Sequence, residues 1–150
     1  MGQSLVRNYL HLVFSTKHRQ PFIRPPVEEE LHAYLGGVCK SFGCAPIKVG
    51  GYVDHVHILI TLSQKIALMK LVERVKANSS RWIKTKGGLY QNFFWQDGYG
   101  AFSVSEKAVD RVSQYIEHQH HHHNKMSFQH EYIELLKNYH IEYDERCIWE

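Results

Sequence analysis

Paired cysteines, membrane spans and a strong charge of either sign are all missing from this chain. Its three cysteines, Cys39, Cys44 and Cys147, are odd in number and lack the spacing of a zinc site. They read as reduced thiols, which points to the cytoplasm. No apolar run is long enough to cross a bilayer, and no signal-peptide pattern opens the chain. Met1-Gly2 resembles an acylation start, but Val6 stands where Ser or Thr is wanted. Net charge is only +3 over 150 residues, so any contact with nucleic acid has to come from local clusters of lysine and arginine. Neither repeats nor low-complexity linkers divide the sequence. With 43% hydrophobic residues, one globular domain over 1–150 with its own core is expected.

What is present is patterned. Residues 5–15 predict a first strand, and Thr16-Lys17-His18-Arg19 a basic loop in which Lys17 and Arg19 are candidate phosphate contacts. Pro25-Pro26 followed by Glu28, Glu29 and Glu30 predicts a helix start. Leu31, Leu35, Val38 and Phe42 form that helix's apolar stripe, and Gly43 its stop. Residues 45–49 predict a second strand, which Gly50-Gly51 lets bend. A short connection near Asp54 then returns the chain antiparallel into a third strand through Val56. The next helix, over about 66–84, turns Leu68, Leu71, Val72, Val75 and Trp82 inward, with Lys70, Arg74, Arg81 and Lys84 opposite. Such a basic face is either merely solvated or a phosphate-binding surface. Beyond Gly87-Gly88, the aromatic segment 93–102 places Trp95 and Tyr99 either in the core or where rings would stack on unpaired bases. The last strand begins at Tyr99. Strand, helix, strand, strand, helix, strand is the order of an α+β, ferredoxin-like split βαβ fold, an antiparallel sheet with both helices on one face.

Alternation along the third strand turns Val56, Ile58 and Ile60 towards those helices and His55, His57 and Leu59 the other way. Two imidazoles on one face can hold one cation together. Alone, such a pair is more often satisfied by hydrogen bonds. The candidate cover for this open face is a helix over 105–123, with capping-box spacing between Ser103 and Glu106. It carries Ala108, Val112, Tyr115 and Gln119 along one side. Alone, Tyr115 is more often a packing residue and Gln119 a surface one, but beside two strand histidines they are a candidate nucleophile and a candidate third ligand. His118 and the run His120 to His123 read as a solvated helix end and turn. Residues 127–150, with Ser127 as a cap and Phe128, Ile133 and Leu136 behind it, read as a packing tail.

His-hydrophobe-His, Tyr115-Ile116-x-x-Gln119 and Phe94-Trp95-Gln96-x-Gly98-Tyr99-Gly100-x-Phe102-Ser103-Val104-Ser105 together resemble the single-tyrosine HUH transposases. That family serves small insertion sequences that move as single strands, and it has REP-associated relatives. The likeness runs from the first strand to Tyr143-Asp144-Glu145-Arg146. It implies a ferredoxin-like sheet with an added C-terminal tyrosine helix, and metal-dependent cleavage and rejoining of single-stranded DNA. Tyr115 would attack the scissile phosphorus to give a 5′-phosphotyrosine and a free 3′-hydroxyl, while His55, His57 and Gln119 hold Mg²⁺ or Mn²⁺. The resemblance also implies hairpin DNA as the partner, and a homodimer in which the tyrosine helix of one subunit reaches the histidines of the other. Imidazoles alone would favour zinc or nickel over magnesium. A free phenol has a pKa of about 10, so the site must also supply a proton acceptor or charge stabilisation, which the sequence does not name. Three other readings stay open: a non-catalytic binder of single-stranded nucleic acid, a domesticated REP-associated nuclease, and a zinc-binding structural domain.

Overall fold

The computed structural model describes residues 2–150; Met1, on which the acylation reading partly rests, lies outside them. In chain order come β1 (Tyr9–Ser15), α1 (Val27–Ser41), β2 (Ala45–Tyr52), β3 (His55–Thr61), α2 (Leu68–Lys84) and β4 (Gly100–Val104). The strands pair in the order β2-β3-β1-β4, each pair antiparallel. This is the α+β split βαβ arrangement that the sequence predicts. β1 starts four residues later than expected, because Leu5 and Val6 are left in solvent with nothing to pack on.

One face of the sheet is the main core. Leu12, Phe14, Val56, Ile58 and Ile60 meet Leu31 and Leu35 of α1 and Leu71 and Val75 of α2, all fully buried. Burying each such side chain contributes about 1.5–3 kcal/mol. The stripe of α2 is Leu71, Val72, Val75, Ser79 and Ile83 rather than one that includes Trp82. Trp82 instead stacks on Tyr34 with ring centres 4.8 Å apart. Ser79 is tolerated in the stripe because its hydroxyl donates to Val75 O at 2.6 Å and accepts from Trp95 Nε1 at 2.9 Å. Trp95 is thereby a core ring, 7% exposed and edge-on to both Phe14 and Phe93, so it offers no stacking face. The ring of this segment that stands in solvent is Phe94.

The other face is covered by the helices that come after β4. A 3-10 turn over Glu106–Ala108 leads into α3 (Val109–Glu117), then α4 (Gln119–His122) and α5 (Phe128–Asn138). The expected single helix over 105–123 is therefore two pieces, broken at His118. The Ser103 capping box does not form, since Ser103 still belongs to β4 and no side chain caps the turn. Ser127 does cap α5, its Oγ accepting from His130 N. α3 docks through Ile116 against Leu59 and Val104, and α5 through Phe128, Tyr132 and Leu136 against Val13 and Phe102. At Gly50 a Cβ would stand 2.6 Å from Ile116 O, so α3 reaches β2 only because that residue has no side chain. Among the described residues no helix is long and apolar enough to cross a membrane. Cys39 and Cys44 are buried free thiols and Cys147 an exposed one.

Candidate active site

His55 and His57 are fully buried on the face that α3, α4 and α5 cover. Their Nε2 atoms converge on side chains from two of those elements. Gln119 Oε1 lies 3.0 Å from His55 Nε2, and Glu131 Oε1 lies 3.2 Å from His57 Nε2 and 3.3 Å from His55 Nε2. His123 Nε2 completes the ring, 3.1 Å from Glu131 Oε1 and 2.9 Å from Gln119 Oε1. The second carboxylate oxygen, Oε2, accepts from the Tyr115 hydroxyl and, at 2.9 Å, from Gln119 Nε2. The local fold explains this. The last turn of α3 and the break after it set Tyr115 and Gln119 over β3, and Glu131, between buried Phe128 and Tyr132, faces inward from the first turns of α5.

The remaining imidazole nitrogens are held from outside the cluster. Asp54 Oδ1 sits 2.7 Å from His55 Nδ1, and His11 Nε2 sits 2.7 Å from His57 Nδ1. Burial pushes His11 down to about 3, so this ring is neutral and can accept from His57 Nδ1–H. His57 then aims an Nε2 lone pair inward, as a metal-ligating imidazole does. Burial works against a charged His55, but Asp54 and Glu131 outweigh it and raise its pKa to about 9. A divalent ion there would exchange for that proton. Burial likewise opposes the charge on Glu131, yet the imidazoles of His57, His123 and His55 hold its carboxyl well below the usual range. Burial and the Glu131 carboxylate push the Tyr115 phenol well above its ordinary value.

The donors suit a divalent cation. His55, His57 and Glu131 each offer one ligand atom, all buried and all within 4.8 Å of one another. Imidazole nitrogen mixed with amide and carboxylate oxygen is a harder set than imidazole alone.

The buried neutral histidines also set how the fold responds to acid. His11 is held down to about 3 and His32 to about 4, each chiefly by burial. An unfolded chain protonates both near 6.5, so below that pH it binds more protons than the native state and stability falls with pH. His11 alone accounts for up to about 1.4 kcal/mol per pH unit. His55 acts on the other side: its contribution is full below 6.5 and is lost as pH rises through about 9. In EDTA, the urea midpoint should therefore peak near pH 6.5 and drop clearly by pH 5. A flat profile from pH 7 to 5 would mean that these rings are not buried in the neutral form.

The sequence-predicted residues divide. Tyr115, His55, His57 and Gln119 come together in one chain, so the expected sharing between subunits is not needed to bring tyrosine and histidines into contact. Lys70, Arg74, Arg81 and Lys84 lie on α2, on the far side of the sheet. Lys70 pairs with Glu73 at 3.5 Å, and Lys84 Nζ donates to Ser80 Oγ and Phe93 O. Lys17 is exposed. Arg19 is tied to the tail, donating to Trp149 O at 3.0 Å. Tyr99 is half-buried beside Lys76, whose ammonium is held by the carbonyls of Gln96, Asp97 and Gly98.

Sequence reasoning missed His11, Asp54, His123 and Glu131. His11 could have been found from its alternation in β1, which puts it on the histidine face. The sequence places His123 in a solvated run, but its side chain is 2% exposed. It turns inward because Met126 O holds its Nδ1. Nothing local marks Glu131, since its place depends on α5 crossing back over the sheet.

Known proteins match most of the chain. A family model described as transposase IS200 like matches residues 4–119. The ISDra2 transposase TnpA of Deinococcus radiodurans is 27% identical over 115 residues, covering 73% of this chain and 82% of that protein. The transposase for insertion sequence element IS200 of Salmonella typhimurium is 24% identical over 114 residues, covering 73% and 74%. Among solved structures, a candidate transposase from D. radiodurans R1 superposes with a TM-score of 0.63 at 23% identity, covering 79% of this chain and 96% of that one. A REP-associated tyrosine transposase bound to a REP hairpin gives 0.60 at 13% identity, covering 82% and 73%. These two structures share the fold.

Proposed function

The chain belongs to the IS200-like transposase family, and on that premise we propose that it cuts and rejoins single-stranded DNA through Tyr115. The observation that carries this reading is the meeting of Tyr115 and Gln119 with His55 and His57 in one buried cluster. Tyr115 Oη attacks the scissile phosphorus, the bond from phosphorus to the 3′-oxygen breaks, and the 5′-phosphate stays on the tyrosine while a 3′-hydroxyl departs. The bond energy remains in the phosphotyrosine, so a 3′-hydroxyl can reverse the step without ATP. His55, His57 and Gln119 would hold Mg²⁺ or Mn²⁺, and such a cation would supply Lewis-acid stabilisation of charge at the phosphate and the leaving oxygen.

Hairpin DNA is the proposed partner, by likeness to the REP-associated transposase bound to a REP hairpin. Lys17, Lys70, Arg74, Arg81 and Lys84, with Tyr99 and the exposed Phe94, are the proposed contacts away from the tyrosine. Residues 1–150 act as one transposase unit in the reducing cytoplasm. The open edges of β2 and β4 allow a homodimer, in which each subunit uses its own tyrosine.

Incubation with Mn²⁺ and a single strand carrying the cognate hairpin should yield a protein–DNA adduct that survives denaturant. Tyr115→Phe should yield none. An adduct undiminished in that variant would move the nucleophile to another of the nine tyrosines.

A further inference from the structure

Glu131 is a buried carboxylate, 2% exposed, on a helix that lies beyond the residues matched by the transposase family. Ionising a carboxyl at such a place is costly unless each oxygen is paired. Both oxygens are paired, and four of the partners, His55, His57, Tyr115 and Gln119, are the proposed site itself. Oε1 faces Nε2 of His55 at 3.3 Å, of His57 at 3.2 Å and of His123 at 3.1 Å. Oε2 takes the Tyr115 hydroxyl, with Gln119 Nε2 beside it at 2.9 Å, and lies 3.5 Å from His122 Nε2. A contact serving only to fasten α5 would need none of these, because Phe128, Tyr132 and Leu136 already dock the helix.

We propose that Glu131 is an anionic ligand of the catalytic cation, completing from α5 the donor set that His55, His57 and Gln119 begin. This rests on the cation site of the proposed function. Two imidazoles and an amide are neutral, and as a set they suit zinc or nickel. One carboxylate oxygen adds the hard, charged donor that magnesium and manganese require, and it halves the net charge of a divalent site. The other oxygen keeps the Tyr115 hydroxyl directed at the same point. One side chain thus ties the nucleophile's position to the cation, and the segment after the tyrosine helix becomes part of the active site.

The test is Mn²⁺ binding, measured by calorimetry and electron paramagnetic resonance on the wild-type chain, Glu131→Gln, Glu131→Asp and His57→Ala. His118, His120 and His121 offer imidazoles elsewhere, so the site's share is defined as the binding that His57→Ala removes. Glu131→Gln should weaken that share by about tenfold to a hundredfold and shift preference from Mn²⁺ towards Zn²⁺. Glu131→Asp, which keeps the charge, should lose less. Melting in EDTA separates loss of affinity from loss of fold. Mn²⁺-soaked wild-type crystals give a reading free of any variant: the ion's anomalous signal should lie in bonding contact with a Glu131 oxygen. Equal or tighter Mn²⁺ binding by Glu131→Gln, or a carboxylate swung clear of the ion, overturns the assignment and makes Glu131 an occupant that the cation displaces. A wild-type chain showing no Mn²⁺ binding that His57→Ala removes would fail the cation site itself, and the ligand with it.

Discussion

His57→Ala should lower cleavage of a hairpin-bearing single strand by about a thousandfold, the effect of losing several kcal/mol of charge stabilisation at the phosphate. Hairpin affinity should stay within about threefold of the wild type, since the basic surface on α2 lies on the opposite face of the sheet and phosphate contacts supply most of the affinity. The two effects separate because His57 is fully buried and touches only the cluster: Nδ1 meets His11, and Nε2 meets Glu131. The substitution also strands His11 and takes one imidazole from Glu131, at a cost of about 1–3 kcal/mol for an unpaired buried polar group. The melting temperature should therefore fall, and binding has to be measured well below the new midpoint. Fluorescence anisotropy with a labelled hairpin and a gel assay of strand cleavage give the two quantities. Affinity dropping as far as activity would make His57 a part of the fold or of the binding surface.

The sheet was legible because its signals are local. Val56, Ile58 and Ile60 alternate with His55 and His57, and that alternation alone predicts which side each faces. α1 likewise shows its stripe and its Gly43 stop in adjacent residues. Trp95 failed for the opposite reason. A run of aromatics gives no sign of which ring turns inward, and here the hydrogen bond to Ser79, sixteen residues away, selects Trp95 and leaves Phe94 in solvent. The site was half legible in the same way. His55, His57, Tyr115 and Gln119 sit at spacings that a strand and a helix turn into shared faces. Glu131 and His123 join them only through the return of α5 across the sheet, a tertiary event with no sequence period. His11 lies between these cases: its strand position was readable, but its pairing with His57 follows from the β1–β3 register, in which Val13 stands opposite His57.

Mixing Tyr115→Phe with His57→Ala should restore no cleavage. In one chain the Tyr115 hydroxyl already meets Glu131, which meets His57 and His55. Exchanging tyrosine helices between subunits would require α3 to leave its seat. That seat is built for it: Ile116 is 1% exposed against Leu59 and Val104, and its backbone oxygen rests where Gly50 lacks a side chain. Exposing Ile116 alone would cost about 1.5–3 kcal/mol, before the hydrogen bonds of Gln119 and Tyr115 are counted. Each variant therefore carries its defect in its own site, and pairing two such subunits leaves one site without a nucleophile and the other without a ligand. A shared site gives a different result. Half the dimers of a fully exchanged equal mixture are mixed, each with one intact composite site, so activity should return to about a quarter of the wild-type value. Differently tagged subunits, co-purified after mixing, report whether exchange took place. A chain that stays monomeric gives the same silence for the same physical reason, a site complete within one molecule. Recovery approaching a quarter, with exchange demonstrated, would place the tyrosine of one subunit over the histidines of its partner and reduce the docking of α3 on Gly50 to a resting arrangement.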